Sequence, residues 1–155
     1  MKTVVAYTDG GCRGNGKDDA LGGYGIVLQY SDEKNVVHTK EICKAFKGVT
    51  NNQMELQAVI DCLKALREPC DVVLMTDSKY VCNAINEKWI DGWIRRGWVN
   101  SSNQPVKNKE QWQELIPYLN MHKVRFFWVK GHASNEGNNR ADQLANIAMD
   151  KFLNS

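Results

Sequence analysis

The sequence predicts an α/β fold in which a mixed sheet is covered by helices, and three observations predict it. Three segments with β-branched and aromatic patterning stand within the first 43 residues, separated by glycine-rich or polar stretches. From residue 51 onward, helical periodicity alternates with compact apolar runs, the pattern of successive strand and helix units. Twice, at Thr8-Asp9-Gly10 and Thr76-Asp77-Ser78, an apolar run ends in an aspartate, the kind of position from which α/β sheets build their sites.

Taken in order, Thr3 to Thr8 is a first strand that the glycines after Asp9 should stop. The stretch from Gly10 to Gly23 holds six glycines and little apolar matter. Tyr24 to Tyr30 and Val36 to Cys43, split by Ser31-Asp32-Glu33-Lys34-Asn35, read as an antiparallel pair. Asn51-Asn52 mark an N-cap region for a helix in which Leu56, Val59, Ile60, Leu63 and Leu66 recur at helical spacing, with Glu55 in its first turn and Pro69 beyond its end. Val72 to Thr76 is a buried strand running into Asp77, and Lys79 to Asn86 is helical. Glu110 to Leu119 is a weaker helix, because an interior proline such as Pro117 costs about 3 kcal/mol and predicts a kink or an early end. Val124 to Val129 is the fifth strand, residues 131–137 a polar loop, and Ala141, Leu144, Ala145 and Ala148 the apolar stripe of a last helix ending near Phe152.

With 155 residues, 43% hydrophobic and 25% charged, the chain is expected to form one soluble domain over residues 1–155. No apolar run approaches the roughly 18 residues of a membrane span, and Asp9 interrupts the N-terminus before a signal-peptide core can form, so a cytoplasmic location is expected. Five cysteines, an odd number with no Cys-x-x-Cys pair, suggest reduced thiols, mostly in the core, rather than a disulfide framework or a zinc site. The net charge of +2 does not announce a nucleic-acid partner. Its distribution says more: residues 88–109 carry Lys88, Arg95, Arg96, Lys107 and Lys109 against Asp91 alone, five minus one or +4, with Trp89, Trp93 and Trp98 interleaved. Such cations supply sequence-independent affinity for phosphates, and tryptophans can pack against sugars or stiffen the element.

Hydrolysis of a phosphodiester needs charge neutralisation, an activated water and a stabilised leaving oxygen, which two magnesium ions roughly 3.5 to 4 Å apart can supply together. Magnesium prefers carboxylate oxygens, so three or four acids from different elements make a suitable cage. Spacing alone does not select them from 18 acidic residues, since a strand-end aspartate is as often a turn residue or a helix cap. The local motifs do. Tyr7-Thr8-Asp9-Gly10-Gly11-Cys12-Arg13-Gly14-Asn15-Gly16, Thr50-Asn51-Asn52-Gln53-Met54-Glu55-Leu56, Thr76-Asp77-Ser78-Lys79-Tyr80-Val81, and Trp128-Val129-Lys130-Gly131-His132-Ala133 followed by Asn138-Asn139-Arg140-Ala141-Asp142 resemble the type 1 ribonuclease H family in sequence and in order, over nearly the whole chain.

That resemblance implies a five-stranded mixed sheet with helices on both faces, three antiparallel strands preceding the parallel ones. It implies metal ligands at Asp9, Glu55, Asp77 and Asp142, two magnesium ions with manganese as a substitute, and cleavage of RNA paired to DNA into products with 5′-phosphate and 3′-hydroxyl ends. His132 matches the family histidine that moves protons or assists product departure, while His38 and His122 read as structural or exposed. Telling RNA from DNA requires contact with the 2′-hydroxyl. The resemblance places Cys12, Asn15, Asn51, Asn52 and Lys79 along the minor groove, Thr50 at a phosphate of the DNA strand, and Asn138 among the substrate-binding residues. For Asn51 and Asn52, helix capping is the competing role.

Residues 88–109 resemble the basic protrusion of a subset of the family, with Trp89, Trp93, Arg95, Arg96 and Lys107 as contacts and Trp98, Trp112 and Trp128 as packing residues. Two departures stand out: lysine at position 79, where many relatives have glutamine, and an insertion from Lys17 to Leu21 that is expected to project into solvent. A nuclease of the same fold acting on DNA and a non-catalytic hybrid-binding module are the competing functions, and a monomer is the default. The four acids together argue against loss of catalysis.

Overall fold

A computed structural model describes residues 1–15, 17–130 and 135–155. Its elements are β1 (Lys2–Arg13), β2 (Leu21–Ser31), β3 (Val37–Lys47), α1 (Asn51–Lys64), β4 (Cys70–Thr76), α2 (Lys79–Asn86), α3 (Trp89–Arg95), α4 (Lys109–Met121), β5 (Lys123–Trp128) and α5 (Glu136–Leu153). The strands form one sheet in the order β3-β2-β1-β4-β5, antiparallel through β3, β2 and β1 and parallel through β1, β4 and β5. This is the five-stranded mixed sheet expected, with helices on both faces.

Alternation along β1 explains the two layers. Val4, Ala6 and Thr8 are buried, and Val4 and Ala6 join Leu56, Ile60 and Leu63 of α1, Leu74 of β4 and Trp112 and Leu115 of α4 in the main core. Tyr7 points to the other face, where α5 closes a smaller core through Ala141 and Leu144 on Val27, and through Ala145 and Met149 on Leu21. No helix among the described residues is long and apolar enough to cross a membrane. Cys62, Cys70 and Cys82 are buried and Cys12 and Cys43 half-buried, all five as free thiols.

Several sequence expectations need correction. β1 does not stop at Asp9: it runs on to Arg13, with Asp9 paired to Gly25 and Arg13 to Leu21 of β2. Gly10 marks a place where a helix approaches the sheet rather than a turn. The Lys17 to Leu21 insertion projects only in part, since Lys17, Asp18 and Asp19 are exposed whereas Ala20 and Leu21 are 1% and 6% exposed and lead into β2. Thr50, not Asn51 or Asn52, caps α1: its side chain accepts from the Gln53 N–H at 3.2 Å while the Gln53 side chain accepts from the Thr50 N–H at 2.9 Å. Glu55 consequently lies beyond the first turn. α4 continues past Pro117 to Met121, because its face bearing Trp112 and Leu115 is fully buried and that packing outweighs one missing backbone bond. The basic segment contains a short helix, α3, which the residue pattern does not announce.

Candidate active site

The parallel ladder between β1 and β4 ends at the pair Thr8–Thr76. Beyond it β1 stays with β2, while the chain leaving β4 turns into α2. A gap opens at this switch in strand direction, with Asp9 on one side and Asp77 on the other. Two glycines let helices close on it. A Cβ on Gly10 would lie 2.5 Å from the main-chain nitrogen of Glu55 and from the carbonyl carbon of Met54, so α1 rests directly on the β1 backbone. A Cβ on Gly25, the β2 partner of Asp9, would lie 2.0 Å from the carbonyl oxygen of Ala141, so α5 is seated on β2 one residue before Asp142.

As a result Asp9, Glu55 and Asp77 each place a carboxylate oxygen within 4.8 Å of the others, and Asp142 comes within hydrogen-bonding reach of Asp9. Asp9 and Glu55 are 6% and 9% exposed; Asp77 and Asp142 are half-buried. Burial, reinforced by the charges of Glu55, Asp77 and Asp142, pushes the Asp9 carboxyl from 3.8 up to about 10. Burial and then Asp77 push Glu55 from 4.5 up to about 8, against the opposing effect of the Gly10 N–H, the Thr76 hydroxyl and Asp9. Thr76 Oγ1 stands 3.5 Å from Glu55 Oε2.

None of the four acids forms an ion pair with a lysine, arginine or histidine among the described residues. A set of hard oxygen donors whose ionised forms repel one another, with no organic cation beside them, fits a divalent metal ion. A larger cavity of about 530 Å³ lies among Lys2, Tyr30, His38, Lys40 and Arg67, but it holds none of these carboxylates; chemistry rather than volume identifies the site.

Beside the acids, Asn15, Thr50, Asn51 and Asn52 line an open cleft of about 460 Å³ together with Lys107 and Asn108, brought from the far end of the basic segment. The Asn51 N–H donates to Asn15 Oδ1 at 3.1 Å, and the Cys12 thiol donates to the Val49 carbonyl at 3.1 Å, tying β1 and its turn to the start of α1. Lys88, Trp89, Trp93, Arg95 and Arg96 line a second open pocket, around α3. Trp89 is 38% exposed, whereas Trp93 is half-buried with its ring 5.5 Å from that of Trp112, so much of its surface is spent on packing. Asn138 is 2% exposed and faces the interior, which leaves it no direct access to a substrate. His132 lies outside the described residues.

The structure adds Asn108, which lies in none of the motifs, and Trp128, which the sequence assigns to packing. Asn108, in left-handed conformation at φ 60°, lines the cleft and donates to the Tyr80 hydroxyl at 3.2 Å. Trp128 is 45% exposed beside Asp77 rather than packed in the core. His122, by contrast, is structural as expected: it is 4% exposed and its Nδ1 accepts from the Cys70 N–H at 3.1 Å.

Comparison with known proteins converges on one family. Residues 1–150 match the family model described as RNase H. Ribonuclease H of Clostridium botulinum is 55% identical over 152 residues, covering 98% of this chain and 99% of that protein. Ribonuclease H of Lachnoclostridium phytofermentans is 49% identical, covering 95% and 92%. Among solved structures, LC9-RNase H1, a type 1 RNase H with the type 2 active-site motif, superposes with a TM-score of 0.87 at 30% identity, covering 97% of this chain and 74% of that one. A foamy viral protease-reverse transcriptase in complex with RNA/DNA hybrid superposes with a TM-score of 0.79 at 23% identity, covering 97% of this chain and 20% of that one, a likeness of fold. The chain belongs to the ribonuclease H family of metal-dependent endoribonucleases.

Proposed function

We propose that this protein hydrolyses the RNA strand of RNA:DNA hybrids endonucleolytically, with magnesium held by Asp9, Glu55, Asp77 and Asp142. The observation that carries the reading is the meeting of three of these carboxylates within 4.8 Å, with Asp142 reaching Asp9 and no ion pair to neutralise them among the described residues. Magnesium, when bound as a pair of ions, supplies charge neutralisation at the scissile phosphate and acidity to the attacking water, giving 5′-phosphate and 3′-hydroxyl ends. The rest falls to the protein's own groups.

Asp9 is central because it lies against both Glu55 and Asp142, each delivered by a different helix. The Gly10 N–H and the Thr76 hydroxyl orient Glu55. The cleft of Asn15, Thr50, Asn51 and Asn52, with Cys12 nearby, is assigned to the minor groove and the DNA-strand phosphate, where short polar groups can sense a 2′-hydroxyl. Lys79, Trp89, Arg95, Arg96 and Lys107 are assigned to the flanking phosphates and sugars. Trp93 contributes whatever ring surface its packing leaves, and Asn138 acts from inside the fold rather than at the groove. His132 is assigned an auxiliary role in moving a proton.

The relatives named ribonuclease H, up to 55% identical over nearly their whole length, support the substrate class, and the monomeric state is part of the same proposal. The test is a strand-labelled RNA:DNA hybrid incubated with and without magnesium, beside duplex DNA and duplex RNA. Cleavage confined to hybrid RNA and dependent on the metal is expected. Cleavage of duplex DNA, or cleavage in a chelator, would overturn the assignment.

A further inference from the structure

Trp128 ends β5 with 45% of its surface exposed, yet its indole N–H is engaged: Nε1 donates to the main-chain carbonyl of Asp77 at 3.0 Å. The next residue, Val129, donates its N–H to the Thr76 carbonyl at 2.9 Å. Two consecutive carbonyls of the segment leaving β4 are therefore held from β5, at and past the end of the regular ladder at Thr76–Trp128. On the face of the same indole, Lys79 Nζ lies 5.0 Å from the ring centroid, in cation–π range. Among the described residues Lys79 makes no ion pair. One side chain thus touches the main chain of a candidate metal ligand with its edge and a candidate phosphate contact with its face. Burial does not explain a tryptophan here.

We propose that Trp128 is a positioning residue of the site, its N–H fixing the main chain that carries the Asp77 carboxylate and its ring holding the Lys79 ammonium ready for a backbone phosphate of the substrate. The inference rests on the hybrid-cleaving function proposed above. Both contacts have a physical reason. Like charges within 4.8 Å push one another apart, so a ligand cluster keeps its spacing only if each member is anchored through its main chain. A lysine side chain is flexible and gains less from a phosphate when it must first be ordered; stacking on a ring orders it beforehand.

The two contacts can be separated. Trp128→Phe keeps a ring for Lys79 but removes the N–H, Lys79→Ala removes only the cation, and Trp128→Leu removes both interactions. Three readouts are taken: manganese affinity of the free protein by electron paramagnetic resonance, hybrid affinity in chelator across a salt series, and kcat with KM for cleavage. Trp128→Phe should weaken manganese binding and lower kcat by about three- to tenfold, the worth of one such hydrogen bond, with the salt slope unchanged. Lys79→Ala should leave manganese affinity unchanged, raise KM and reduce the salt slope by about one. Lys79→Arg should restore the slope, and Trp128→Leu should show both defects.

Wild-type manganese affinity in Trp128→Phe, or a wild-type salt slope in Trp128→Leu, would overturn the proposal. So would a fall in affinity that merely tracks the folded fraction measured by thermal melting. Wild-type protein run in parallel reports separately on function: if it fails to cut hybrid RNA, the functional reading fails, while the manganese comparison still judges Trp128.

Discussion

Replacing Asp9 by asparagine removes one titratable carboxyl from a buried acidic cluster, and the stability of the metal-free protein should show it first. The carboxyl, 6% exposed, is pushed from 3.8 to about 10 by burial and by Glu55, Asp77 and Asp142. For an acid whose pKa is raised by folding, the unfolded chain releases its proton first. Stability is therefore greatest below pH 4 and falls as pH rises toward the folded value. Each pH unit in that interval costs about 1.4 kcal/mol, so at pH 7 the accumulated cost reaches about 4 kcal/mol as an upper limit. Asparagine does not ionise and avoids it.

At roughly 2–4 °C per kcal/mol for a chain of this length, Asp9→Asn should melt above the wild type at pH 7 in chelator, by at most about 8–16 °C, while the two should nearly coincide at pH 4. Magnesium should close the gap by binding the ionised native cluster of the wild type. Thermal melts followed by circular dichroism at pH 4, 5.5 and 7, each with chelator and with magnesium, measure all of this. A variant that melts at or below the wild type at pH 7 without metal, or a gap that does not change with pH, would refute the reasoning. The same variant should be unable to cleave the hybrid in either case.

Gly10→Ala drives a methyl group into the α1 backbone and should cost about 1–3 kcal/mol in denaturant melts, with a fall in manganese affinity that a distant surface alanine does not cause. Gly25→Ala meets the Ala141 carbonyl still more closely and should be at least as damaging; a soluble variant with unaltered stability and metal affinity would contradict this close approach. Thr50→Ala removes the α1 cap and should cost about 1 kcal/mol, whereas Thr50→Ser should retain it; an increase in KM specific to the alanine variant would also place Thr50 at the substrate. Arg95→Ala combined with Arg96→Ala should raise KM and lower the salt slope of hybrid binding by about one for every phosphate left unneutralised, measured by fluorescence anisotropy. An unchanged slope would show that these arginines face away from the nucleic acid.

Much of this is legible in the chain. The five strands, their grouping and the helix Lys79–Asn86 follow from periodicity, because alternating burial leaves its mark on residue type. Pattern places the carboxylates near strand ends or on helices, and their motifs identify them as a set. What escapes a local reading is set by packing between elements distant in sequence. Gly10, Gly11, Gly22, Gly23 and Gly25 carry turn signals by type, yet they are strand residues, several of them with a helix backbone or side chain where a Cβ would be. Pro117 predicts a break that the burial of Trp112 and Leu115 overrides. Trp128 looks like a core residue by type, and only the register of β5 against β4 shows its N–H beside Asp77.

The two glycines that flank Asp9 in space have a consequence for how such a site tolerates change. Where side chains meet, spacing depends on which side chains they are, and each substitution in the core moves it slightly. At Gly10 and Gly25 main chain rests against strand, so that separation depends less on which residues fill the layers around it. The distance between Asp9 and the helices bearing Glu55 and Asp142 is thereby largely decoupled from core composition. Apolar residues on either side of the sheet can drift, and the protein can be made more or less stable, without retuning the distances on which its metal affinity depends.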